Sequence, residues 1–153
     1  MNRFLKIAAG IALLAAAFSC CNCRSFQKKN RRPLVGTEWQ LVQLGGRSIT
    51  PEEGKYTVVL SDDERISGVG ACNRLMGGYT LGGENALRFG ALASTRMACP
   101  GMETEAEFMQ MFDSVVRYDM DGPMLLLLGA DDDLLAVFQA KPAAGSETEA
   151  ARE

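Results

Sequence analysis

The chain has 153 residues, 47% of them hydrophobic and 23% charged, which suffices for one small domain and excludes two of ordinary size. Its formal charge of −3 hides an asymmetry: seven of the sixteen basic residues lie at or before Arg32 and all nineteen acidic ones beyond it, so the rest carries nine basic against nineteen acidic residues, a balance of −10. So acidic a domain is a poor surface for nucleic acid, whose phosphates need a basic face, and the absence of histidine excludes Ser-His-Asp and Cys-His catalysis and most zinc sites.

The N-terminus begins with a positively charged run containing Arg3 and Lys6, followed by a dozen apolar residues over 7–18. This is the pattern of a secretory leader and is shorter than the roughly 20 residues of a membrane-spanning helix. Ala17-Phe18-Ser19-Cys20 looks like a bacterial lipobox, with Phe18 bulkier than the usual pattern. Cys20 is the expected lipidated residue, Cys21 the second candidate, and residues 1–19 the expected signal peptide. Two or three acyl chains on one cysteine hold a protein to a bilayer where one is marginal. Residues 20–33 are polar and basic without hydrophobic periodicity and read as a tether. Its Lys28, Lys29, Arg31 and Arg32 either lie on anionic headgroups, at about 1 kcal/mol each, or simply keep a linker soluble.

The expected domain spans residues 34–140. Residues 37–44 alternate, with Trp39, Leu41 and Gln43 on one face, and predict a strand with one buried side. Gly45-Gly46 turns it. A second strand is expected over 55–61 and a third over 65–72, the latter crossed by Gly68 and Gly70, which inside a strand mark a bulge, a corner or a close backbone approach. The Gly68-Val69-Gly70 spacing fits neither a phosphate loop nor a dinucleotide fingerprint. Residues 73–78 read as a turn, 79–81 as a short extended piece and 82–85 as a second turn. Residues 86–89 alternate, and 92–98 follow.

One helix is predicted, over residues 103–118. Phe108, Met111, Phe112, Val115 and Val116 recur at three- and four-residue spacing, an apolar stripe that faces a core. Glu103, Glu105 and Glu107 crowd the first turns, where the helix dipole favours negative charge, and Thr104 stands where a cap would. In the alternative reading the helix lids a partly open barrel, and Met109, Met111 and Phe112 line an apolar pocket. Residues 119–123 turn the chain into Met124-Leu125-Leu126-Leu127-Leu128, a buried central strand, which a hairpin through Asp131-Asp132-Asp133 returns to a last strand over 134–140. The three aspartates lack the spacing of a calcium loop and read as a solvated tip. Residues 141–153 form an Ala/Glu-rich tail without a core-forming pattern.

The runs Cys72-Asn73-Arg74 and Ser94-Thr95-Arg96-Met97-Ala98-Cys99-Pro100, with Gly36-Thr37-Glu38-Trp39 before them, resemble the META-domain family, which includes heat-shock-inducible HslJ-like envelope lipoproteins. The resemblance extends from Gly36 to Phe138. It implies a cracked barrel with a helix, a shape similar to the lipoprotein pilotins of secretion systems, and it carries no catalytic residues.

Cys72 and Cys99 admit three readings: a disulfide in an oxidising compartment, two buried free thiols, or a redox-active pair, the last weakened by the lack of a Cys-x-x-Cys motif. The fold expected is α+β, mainly antiparallel β, a small cracked or open barrel-like sheet with one packed helix. The function expected is that of a non-enzymatic, monomeric envelope lipoprotein. It would face the periplasm from the outer membrane, without cofactor or metal, and bind a partner protein or an apolar moiety in envelope stress or antibiotic tolerance. Alternatives are a structural envelope protein with no specific ligand and a carboxylate-based hydrolase.

Overall fold

The computed structural model describes residues 31–142. The expected leader, most of the tether, the lipidation site Cys20 and nearly all of the tail lie outside the described residues. Strand β1 (Glu38–Leu44) buries Trp39 and Leu41 completely, as its alternation requires. A bulge between Leu41 and Gln43, opposite β10 (Leu134–Ala140), then advances the register. Leu44, not Gln43, becomes the third buried apolar residue, Gln40 being the buried polar one, because one inserted residue shifts every later side chain to the other face.

The remaining strands are β2 (Arg47–Ser48), β3 (Thr57–Leu60), β4 (Arg65–Val69), β5 (Arg74–Leu81), β6 (Leu87–Phe89), β7 (Ala93–Ser94), β8 (Arg117–Asp121) and β9 (Met124–Leu128). They form one antiparallel sheet in the order β6-β5-β4-β3-β1-β10-β9-β8, with β2 added to β1 and β7 to β5. The two outer strands approach each other. Ala86 and Arg117 form an antiparallel bridge, and the Leu87 N–H donates to the Val116 carbonyl at 3.1 Å. The sheet is thereby a nearly closed barrel, the cracked architecture expected from the sequence.

Two segments differ from expectation. Residues 73–78 do not form a turn: from Arg74 onward they are the first half of β5, the longest strand. Gly77 suggested a turn, but it lies inside the strand, and the Leu92 side chain packs over it, with Cδ2 2.3 Å from where a Cβ would stand. The helix α1 (Met102–Ser114) also ends earlier than its stripe suggested. Val115 keeps the apolar spacing and is buried, yet its backbone is extended, with φ −70° and ψ 129°. Residues 117–121, expected as helix end and turn, form β8. Helical spacing does not separate a buried strand entry from one more turn. At the other end Gly101, not Thr104, occupies the cap position, and no side chain caps the helix.

The inner face of the sheet and the stripe of α1 share one core. Phe108 meets Tyr56 edge-on at 5.5 Å between ring centroids and Phe112 at 5.2 Å, and Phe112 meets Phe89 of β6 at 4.9 Å. Such edge-to-face pairs contribute about 0.5–1.5 kcal/mol each beyond their buried area. With Trp39, Leu41 and Phe138 they fill the interior. Phe108→Ala is expected to cost about 3–5 kcal/mol by urea denaturation, and Phe112→Asp to abolish folding. A folded Phe112→Asp chain would place α1 outside the core.

Candidate functional site

The two runs that stand out in the sequence meet at one corner. Residues 70–73 turn β4 into β5, and residues 95–101 lead into α1. Cys72 and Cys99 are joined by a disulfide with Cα atoms 6.5 Å apart. Asn73, only 2% exposed, stitches the two segments beside it. Its Oδ1 accepts from the Thr95 hydroxyl at 2.9 Å and from the Met97 N–H at 2.5 Å, and its Nδ2 donates to the Met97 carbonyl at 3.1 Å. The Arg74 N–H donates to the Thr95 hydroxyl at 3.2 Å. Between these anchors Arg96 takes a left-handed backbone, φ 54°, a conformation that persists only where neighbouring contacts impose it.

Under this clasp lies Glu105, whose side chain the fold buries to 4% exposure. Its Oε2 accepts the N–H groups of Cys72 at 3.1 Å and Asn73 at 3.3 Å, while its Oε1 accepts from Asn73 Nδ2. The carboxylate passes directly over Gly70, where a Cβ would sit 2.7 Å from Oε2 and 2.9 Å from Cδ. Any side chain at residue 70 would collide with it. Burial opposes the charged form, but the hydrogen bonds from Cys72, Asn73 and Ala71 outweigh it and hold the carboxyl below its ordinary value of 4.5. Burial and then the Glu105 charge push the nearby Tyr56 hydroxyl up.

Glu105 does not stand out in the sequence, where it is one of three glutamates at a helix start. The three behave differently: Glu103 is exposed, Glu107 pairs with Arg47 at the surface, and Glu105 is buried. A signal was available, because Glu105 precedes Phe108 by three residues and Phe112 by seven and so lies in the apolar stripe itself. Each buried side-chain nitrogen and oxygen among the described residues has a partner.

The three residues expected to line one apolar pocket are separated. Phe112 is sealed in the core. Met111 faces a shallow groove with Leu44 and Leu135. Met109 opens on a different groove of about 370 Å³, lined also by Met97, Met102, Ala98 and Ala106 and floored by Asn73 and Glu105. Met97 and Met102 are 52% and 43% exposed. The disulfide corner and its buried carboxylate thus support a mainly apolar surface rich in methionine. The aspartates of the β9–β10 hairpin remain at the surface, where Asp132 accepts from Arg117 Nε at 2.7 Å.

Because the folded-state pKa of Glu105 is depressed, its contribution to stability is present above the unfolded value near 4.5 and is lost as pH falls through the folded value. Glu105→Gln, which swaps an acceptor oxygen for a donor facing Asn73, is expected to cost about 2–4 kcal/mol at neutral pH. It should also flatten the acid limb of stability below pH 4.5 in denaturant titrations from pH 7 to pH 3. An unchanged acid limb would assign that loss to another group.

The META domain family model matches residues 32–142. A solution NMR structure of a protein from Burkholderia xenovorans is similar at 30% identity, covering 72% of this chain and 85% of that one, with a TM-score of 0.57. A second NMR structure is similar at 23% identity, with 67% and 87% covered and a TM-score of 0.54. A crystal structure of a DUF4847 family protein from Bacteroides vulgatus shares the fold at 13% identity, with 69% and 93% covered and a TM-score of 0.53. No curated protein matches. The family match covers every strand and the helix, including both runs of the clasp, and the chain belongs to the META domain family.

Proposed function

We propose that this chain is a lipid-anchored, non-catalytic module of the bacterial cell envelope that docks a partner protein through the methionine-lined groove above the Cys72–Cys99 corner. Family membership supports an envelope-associated domain, and the leader with its lipobox at Cys20 supports anchoring by lipid. No helix among the described residues is long and apolar enough to cross a membrane. The anchor in this reading is the acylated cysteine of the lipobox. Residues 20–33 act as the tether, and the domain faces the periplasm from the outer membrane.

The observation that carries the docking role is the grouping of Met97, Met102 and Met109 on a rigid base. Methionine is unbranched and polarizable, so an exposed set of them repacks around differently shaped apolar side chains. The occupant favoured is a side chain of a partner protein and not a free acyl chain. The barrel interior is filled by Trp39, Phe108, Phe112 and Phe138, and an open surface groove leaves most of an acyl chain in water. Arg96 on the rim has no ion pair among the described residues, which suits an acidic residue beside the apolar one. A role in envelope stress or antibiotic tolerance is the physiological setting of this reading.

Cys20→Ala is expected to move the chain from the membrane to the soluble fraction, and continued membrane association would overturn the anchor. Met102 is half-exposed, so Met102→Glu should change stability by no more than about 0.5 kcal/mol. A photo-crosslinker at residue 97 in the anchored protein should give a discrete protein adduct that Met102→Glu abolishes. No adduct, or one indifferent to the substitution, would rule out this groove.

A further inference from the structure

The corner holds a second possibility for the same atoms. The sulfurs of Cys72 and Cys99 and a carboxylate oxygen of Glu105 all lie within 4.8 Å of one another. In a tetrahedral zinc site, with bonds of about 2.3 Å to sulfur and about 2.0–2.2 Å to oxygen, neighbouring ligand atoms stand roughly 3.5–3.8 Å apart. We propose that reduction of the disulfide converts this corner into a zinc site with Cys72 and Cys99 as thiolate ligands, Glu105 as the third ligand and water in the fourth position.

Three features favour a metal over a pair of free thiols. The set needs no histidine, which the chain lacks: two thiolates and a carboxylate are all donors for a borderline-soft divalent ion. The carboxylate is already oriented, since the N–H groups of Cys72 and Asn73 and the Asn73 amide fix it from behind, the supporting shell that metal ligands require. The cysteines are half-buried while Glu105 is buried, so an ion has access from one side and a low-dielectric wall on the other.

The chemistry balances with a dithiol reductant of the thioredoxin class. Its two thiols join as a disulfide while the Cys72–Cys99 bond breaks, so that two electrons and two protons pass to the cysteines. Zinc then displaces both thiol protons to solvent, and Glu105 enters already deprotonated. The corner remains cross-linked in either state, by sulfur–sulfur covalency when oxidised and by metal coordination when reduced.

The test uses the soluble chain with Cys20, Cys21 and Cys23 replaced by serine, oxidised or reduced by a phosphine that does not bind the metal. Zinc is titrated against a chromophoric chelator, and cobalt(II) replaces it for spectroscopy. Expected are one ion per reduced chain, none per oxidised chain, and a cobalt spectrum with thiolate charge-transfer and tetrahedral ligand-field bands. Cys72→Ser and Glu105→Gln should each weaken binding about tenfold or more. The cobalt spectrum needs neither substitution, so a variant that fails to fold leaves the test intact. A reduced chain without metal, equal binding in the oxidised chain, or an octahedral cobalt spectrum without thiolate bands would overturn the proposal.

Discussion

A single buried charge holds this fold in its particular form. Glu105 reaches from the first turn of α1 across Gly70 to the corner between β4 and β5, where backbone N–H groups that no strand satisfies point at it. A buried carboxylate without partners would be strongly unfavourable; with its hydrogen bonds from the corner it becomes an anchor whose loss leaves several donors unpaired at once. The disulfide acts on the same corner from the other side. In the chain-entropy account its separation of 27 residues contributes about 3.5 kcal/mol by restricting the unfolded chain. Noncovalent and covalent ties therefore converge where helix, strand and loop meet. The aromatic stripe of α1 supplies burial, and the corner fixes the direction from which the helix enters.

This explains why Cys72-Asn73-Arg74 and Ser94-Thr95-Arg96-Met97-Ala98-Cys99 stand out from an otherwise ordinary β sequence. Asn73 and Thr95 interlock by hydrogen bonds, Met97 supplies backbone to Asn73 and a side chain to the groove, and the cysteines close the clasp. Family membership, the corner and the groove are linked through these residues. The interior is filled by aromatic and leucine side chains. The groove of about 370 Å³ lies over the corner where the disulfide, Asn73 and Glu105 converge; in the proposed docking role, a surface tied in this way loses little conformational freedom on binding.

Much of the architecture was legible in the chain because it follows from short-range pattern. Alternation over Trp39 and Leu41 marks β1, the leucine run marks β9, and Phe108 with Phe112 marks the helix. The features that escaped depend on partners distant in sequence. The glycines of β5 imitate a turn until Leu92 is seen to pack on Gly77. Val115 and Val116 prolong a helical stripe until β9 pairs with the adjoining strand β8, which begins at Arg117. Gln43 alternates correctly until a bulge against β10 replaces it with Leu44. Glu105 is chemically identical to Glu103 and Glu107, and only the amides of a corner 32 residues away distinguish it. The expected pocket of Met109, Met111 and Phe112 failed for a related reason: helical spacing gives a face, but how far the barrel wraps around it decides which residues remain open.

The most direct measurement is native-state hydrogen exchange at the Cys72 and Asn73 amides. In a corner segment outside any strand these groups would ordinarily exchange through local opening. If the Glu105 carboxylate is the central tie, both amides exchange only by global unfolding, with the same free energy as the core of β1. Rapid exchange of these two amides while β1 stays protected would contradict the account, leaving the helix held by aromatic packing alone.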